Sequence, residues 1–168
     1  MSRRLLLIAA LPLAACGQQA SEQAPTEVAA TPAPAAAAPQ AETAQGAWSL
    51  KDEGILTAVT FAGADSEPRL TLRCDRVNKQ VIVEMAGTVQ PGEEYSIIAG
   101  GQRFILPMVA APSELPTMTA QVSPQQPILG SMAAAGTSFT LVGPTLDKLL
   151  DFPATPDIRR VIDVCSTV

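Results

Sequence analysis

The chain of 168 residues carries 11 Lys and Arg against 16 Asp and Glu, and it contains no His. An acidic balance without a basic run argues against nucleic acid as a partner and against a polybasic lipid-binding patch. The missing imidazole removes the commonest general base, the His-based serine-hydrolase triad and most zinc sites, so neither metal nor cofactor is expected.

Residues 1–15 read as a secretory signal. Arg3 and Arg4 form a positive start, residues 5–11 a short apolar run, and Ala14 and Ala15 the small residues before a cut. That run is too short to span a bilayer, which takes about 20 residues. Leu13-Ala14-Ala15-Cys16 resembles the lipobox of bacterial lipoproteins. The resemblance implies diacylation of the Cys16 thiol, cleavage before it, and acylation of the new amine. Two or three acyl chains at about 0.8 kcal/mol per buried CH₂ hold a protein on a membrane where one chain does not. Gly17 follows the Cys, which by resemblance to known sorting rules implies the outer membrane, and the expected orientation is the periplasmic face. Removing residues 1–15 leaves 9 Lys and Arg against 16 Asp and Glu, a formal charge of −7.

Residues 16–45 are expected to be the lipidated Cys and a disordered tether. The segment is Ala, Pro, Gln, Thr and Glu, with no aromatic and only Val28 as a large aliphatic. It cannot bury enough surface to offset its ordering entropy. Such a chain reaches about 90 Å extended and about 30 Å as a coil. Its removal is expected to leave the stability of the rest unchanged.

Residues 46–168 are expected to form one domain. Alternation predicts strands at 55–61, 70–74 and 80–85, each bounded by Gly, Asp, Asn or Pro. Residues 95–99 and 102–106 flank Gly100-Gly101, a hairpin signal whose register puts Ile97 opposite Phe104. Residues 117–122 and 138–142 are further short strands. A short Ala-rich helix is expected at 127–135, stopped by Gly136. A second follows Thr155, its cap, with Pro156 at the first position and Asp157 at the positive end. Its residues Ile158, Val161, Ile162 and Cys165 fall on one face, and Arg159, Arg160 and Asp163 on the other. The fold class is therefore mainly β: an antiparallel sandwich or open barrel with one short inserted helix and a C-terminal helix.

With Cys16 lipidated, Cys74 and Cys165 remain, each at the inward phase of its element. An oxidising compartment favours a disulfide between them, worth about 4–5 kcal/mol by loop-closure entropy. Two buried thiols or a redox pair are the alternatives, and no Cys-x-x-Cys speaks for the latter.

Trp48 opening a strand, a strand ending in Cys74, a short helix followed by a strand at 138–142, and the closing run from Pro153 to Cys165 together resemble the invasion-associated-locus-B-like family of small exported proteobacterial domains. The resemblance covers most of residues 46–168 and implies a β-sandwich with one disulfide and an envelope role. It carries no catalytic residues, and this chain departs from it in its lipobox and tether.

Candidate chemistry is sparse. Glu93-Glu94 is an adjacent carboxylate pair in an expected loop, and Asp147 and Asp151 would share a face if that segment were helical. Arg159 and Arg160 offer cations to an acidic partner, or a solvated helix face. Trp48, Phe61 and Phe104 would line a groove or pack a core. No nucleophile elbow, phosphate loop or calcium loop appears. The expectation is a non-catalytic envelope lipoprotein that binds an envelope protein or cell-wall component or supports the envelope. The alternative is an inhibitor of a secreted hydrolase such as lysozyme, whose basic charge would suit an acidic chain.

Overall fold

A computed structural model describes residues 41–65, 67–144 and 149–167. The expected signal, Cys16, the tether up to residue 40, and Asp147 lie outside the described residues. In chain order the elements are β1 (Glu42–Thr43), β2 (Ala47–Glu53), β3 (Leu56–Ala62), β4 (Pro68–Asp75), β5 (Gln80–Ala86), β6 (Tyr95–Ala99), β7 (Gln102–Leu106), β8 (Val109–Ala110), β9 (Thr117–Val122), α1 (Pro127–Met132), β10 (Ser138–Val142), β11 (Leu150–Pro153) and α2 (Asp157–Thr167).

Period-two alternation decides which way each strand faces. In the six-stranded sheet, ordered β2-β3-β4-β5-β9-β8, Leu50, Val59, Leu72, Val83 and Ala120 lie side by side across five strands. All but Leu50 are buried. The five-stranded sheet, ordered β1-β11-β10-β6-β7, contributes Leu150, Leu141, Ile97 and Phe104 as a matching row. The two inner faces share one buried cluster, and the sheets do not close into a barrel. The fold class is the mainly β one expected, two sheets with one inserted helix and a C-terminal helix. Gly100 and Gly101 take φ of 56° and 75°, the positive values a two-residue hairpin turn needs, and Ile97 does pair with Phe104.

The helices fill what the smaller sheet leaves uncovered. α2 packs on β3, β4 and β5 through Ile158, Val161, Ile162 and Cys165, the face its spacing defines. Thr155 Oγ1 accepts the Asp157 N–H at 3.3 Å and caps the first turn. α1 ends at Met132, short of the expected Ala135, and lies against α2, β6 and β10.

The folded region begins before Gly46. Residues 42–43 pair parallel with β11, and Ala44 is buried. The end of the segment read as tether thus belongs to the sheet, and the tether expectation fails for residues 42–44. The reason is local: main-chain bonds and the buried Ala44 methyl join this segment to a sheet edge, where no run of apolar residues is needed. Gly46 then passes so close to β3 that a Cβ on it would sit 2.2 Å from the Ala62 carbonyl oxygen.

Candidate functional site

The singled-out residues fall in separate places. Cys74 and Cys165 form the disulfide, with Cα atoms 5.4 Å apart and both side chains buried. Trp48 and Phe61 meet edge to face at 5.2 Å within an aromatic cluster that includes Phe139 and Phe152, while Phe104 packs on the same core. They are packing residues. Glu93 ties its own loop, accepting the Gln90 N–H at 2.8 Å and the Tyr95 hydroxyl at 3.3 Å. Glu94 pairs with Arg103 at 3.0 Å. Asp151 lies in β11, where it accepts from Thr140 at 3.1 Å, so no helix puts it in phase with Asp147. Arg160 holds Asp52 at 2.8 Å. That guanidinium, with the Thr57 hydroxyl, lowers the Asp52 carboxyl from its ordinary pKa. Arg159 remains on the exposed face of α2. No group of three or more potential metal ligands exists among the described residues.

What the strands do assemble is a polar face on the outside of the six-stranded sheet. One row across it runs Ser49, Thr60, Thr71, Glu84, Thr119 and Val109. The next runs Lys51, Ala58, Arg73, Ile82 and Gln121. Arg73 Nε reaches diagonally between the rows to Glu84 Oε2 at 3.5 Å. Both side chains are partly exposed, so the pair contributes about 0–1 kcal/mol and a competing ligand group can open it cheaply.

A hollow lies to each side of that pair. The first, about 210 Å³, has Thr71, Glu84 and Thr117 on its floor and Pro68, Leu115 and Pro116 as its wall. The second, about 410 Å³, holds Arg73, Gln121 and Ile82, with Pro107 and Val109 at its rim. Leu115 and Val109 are 76% and 60% exposed, an apolar edge to a hydrogen-bonding floor. Asp75, also in the second hollow, has its carboxyl pKa lowered by the Asn78 side-chain amide and the turn N–H groups it accepts from. The six aromatic side chains are buried or packed against the core, so this face offers ionic and hydrogen-bonding groups without a stacking platform.

The alternation of Thr71 and Arg73 with Leu70, Leu72 and Cys74 marks these residues as outward-facing in the sequence. That Arg73 would meet Glu84, and that residues 107–117 would wall the face, depends on strand order and register, which local patterning does not carry. Comparison of the chain with protein-family models, with curated proteins and with solved structures yields no match.

Proposed function

We propose that the protein is a lipid-anchored, non-catalytic binding module of the bacterial envelope. It is held to the outer membrane through Cys16 and offers the outer face of the six-stranded sheet to a polypeptide segment of an envelope protein or cell-wall component. The anchor reading rests on Leu13-Ala14-Ala15-Cys16 and on the low-complexity chain after it. The binding reading is carried by one observation: the Arg73–Glu84 pair with a hollow on either side and an apolar rim. Ionic floor groups can satisfy peptide charges and amides, while Leu115 and Val109 supply the apolar contact that gives an interface its affinity. The resemblance to the invasion-associated-locus-B-like family supports the envelope setting through Trp48, Cys74 and the Pro153 to Cys165 run, all of which serve packing here.

Crosslinking and pull-down from intact envelopes tests this. Wild type should capture a defined partner that an Arg73→Ala/Glu84→Ala chain loses at least about tenfold, the equivalent of 1.4 kcal/mol. Equal capture by both chains would remove the face from the account. Replacing Cys16 with Ser should abolish labelling by a fatty-acid analogue, and unlabelled wild type would remove the anchor. The acidic charge of −7 after residue 15 favours hydrolase inhibition as a second reading. Inhibition of lysozyme at stoichiometric ratio would select it.

A further inference from the structure

Two highly exposed aliphatic side chains sit on neighbouring hairpin tips. Ile55, between β2 and β3, is 88% exposed, and Val77, between β4 and β5, is 90% exposed. β3 and β4 are adjacent, and Ala58 pairs with Arg73. Ile55 lies shortly before that pair and Val77 shortly after it, so both tips project from the same end of the six-stranded sheet. Two strand spacings set them about 10 Å apart. Both tips are tied down. The Asp75 carboxylate accepts the Val77 and Asn78 N–H groups at 3.1 Å each and the Asn78 side-chain amide at 2.8 Å. Arg76 donates across to the Thr57 hydroxyl at 3.2 Å, Thr57 donates to Asp52 at 2.8 Å, and Arg160 holds Asp52 from α2. The hairpins are thus linked to each other and to the helix, and presenting the two side chains together costs little further ordering entropy. Residues 51–58 and 73–82 carry Lys51, Arg73, Arg76 and Lys79 against Asp52, Glu53 and Asp75, in a chain whose charge after residue 15 is −7. This is no polybasic patch, but it spares the tips the repulsion that the acidic remainder would meet at an anionic surface.

We propose that Ile55 and Val77 form a membrane-seating pair, by which the anchored domain rests on the bilayer with both side chains among the headgroups and upper acyl chains. The bilayer is the occupant because two separate aliphatic points with ionic groups just behind them suit a fluid interface rather than a shaped pocket, and because the anchor keeps the domain beside one. The inference rests on the anchor reading. A tether averaging about 30 Å as a coil supplies an effective concentration on the order of 1 mM. At that concentration two shallow side chains suffice to seat an anchored chain, although they are too few to recruit a free one. Leu115 lies past the opposite end of β5 and β9, where Ala86 pairs with Thr117, a strand length of about 20 Å from the tips. Seated on its tips, the sheet stands with its strands steep to the membrane, and the outer face around Arg73 and Glu84 stays open to a partner from the side.

The test uses the chain from residue 16, in which Cys16 carries the one thiol outside the disulfide. Coupling that thiol to a maleimide lipid anchors the chain on nanodiscs of phosphatidylethanolamine and phosphatidylglycerol whether or not cells lipidate it. Failure of fatty-acid labelling in cells therefore strikes the anchor reading, and the nanodisc result strikes the seating. With a nitroxide-headgroup lipid in the disc, the amide signals of residues 54–56 and 76–79 should be lost while those of Leu115 and Thr117 remain. Ile55→Ser/Val77→Ser should restore the lost signals and leave the Tm unchanged, since both side chains face water. Equal broadening at the two ends of the sheet, or broadening that survives the double variant, overturns the proposal. So do unbroadened tips together with an envelope partner that the double variant fails to capture, which would assign the tips to a protein.

Discussion

The two ends of the sandwich interior are fastened by different means. At one end Cys74 and Cys165 join β4 to α2 covalently across a sequence separation of 91 residues. At the other, Trp48 and Phe61 from the larger sheet meet Phe139 and Phe152 from the smaller one, with no covalent link. The ends lie four residues apart along a strand, from Leu70 to Cys74, or roughly 13 Å. The helix needs the bridge because 11 residues are too few to be stable alone. The sheet pair has none: Phe61, Phe139 and Phe152 are buried, the partly buried Trp48 packs on them, and the ladders within each sheet hold them in register. Covalent fastening thus sits where the element cannot hold itself, and packing suffices where it can.

The largest loss of stability is expected at the bridge. Cys165→Ser should cost about 4–5 kcal/mol in urea unfolding, the loop-closure contribution. A loss below about 1 kcal/mol would show that α2 is held by its apolar face alone. At the other end, Phe152→Ala should cost about 3–5 kcal/mol, from lost burial and the cavity left between Phe61 and Phe139. The double variant should then lose the sum to within about 0.5 kcal/mol, because the sites are distant and share no partner. Strong coupling would mean the two fastenings are one.

Smaller changes sharpen the same contrast. Trp48→Phe keeps most of the edge-to-face contact and removes the indole donor to Pro153 O, so about 1 kcal/mol should be lost. The smallest effect concerns acid. Asp52, tied to Arg160 on α2, has its carboxyl lowered below the ordinary 3.8, first by the Arg160 hydrogen bond and then by Thr57. The folded state therefore binds fewer protons at that site than the unfolded chain. The stabilisation is present above the ordinary value and fades as pH falls through the lowered one. Both groups face water, so the effect is small, and Asp52→Asn should slightly flatten the acid limb of a Tm-against-pH curve.

Much of this arrangement was legible in the sequence where a segment's own pattern decides its fate. The alternation at Leu70, Leu72 and Cys74, the Gly100-Gly101 turn and the helical spacing of Ile158 to Cys165 each fix an inward face without reference to the rest of the chain. β1, β8 and the hydrogen-bonding role of β11 were not. Two-residue strands carry no period, and residues 42–44 make main-chain bonds that any sequence can make. The candidate face was legible by half. Outward Thr and Arg positions follow from alternation, whereas the Arg73–Glu84 diagonal and the wall at residues 107–117 come from long-range register.

Hydrogen exchange before and after reduction separates the two fastenings. On reduction of Cys74–Cys165, the amides of α2 should lose protection first. Those of β10, β11 and the strands around Phe61 should stay protected under the same conditions. Simultaneous loss across both sheets would contradict the account and show that the bridge fastens the whole sandwich, with the aromatic end unable to hold on its own.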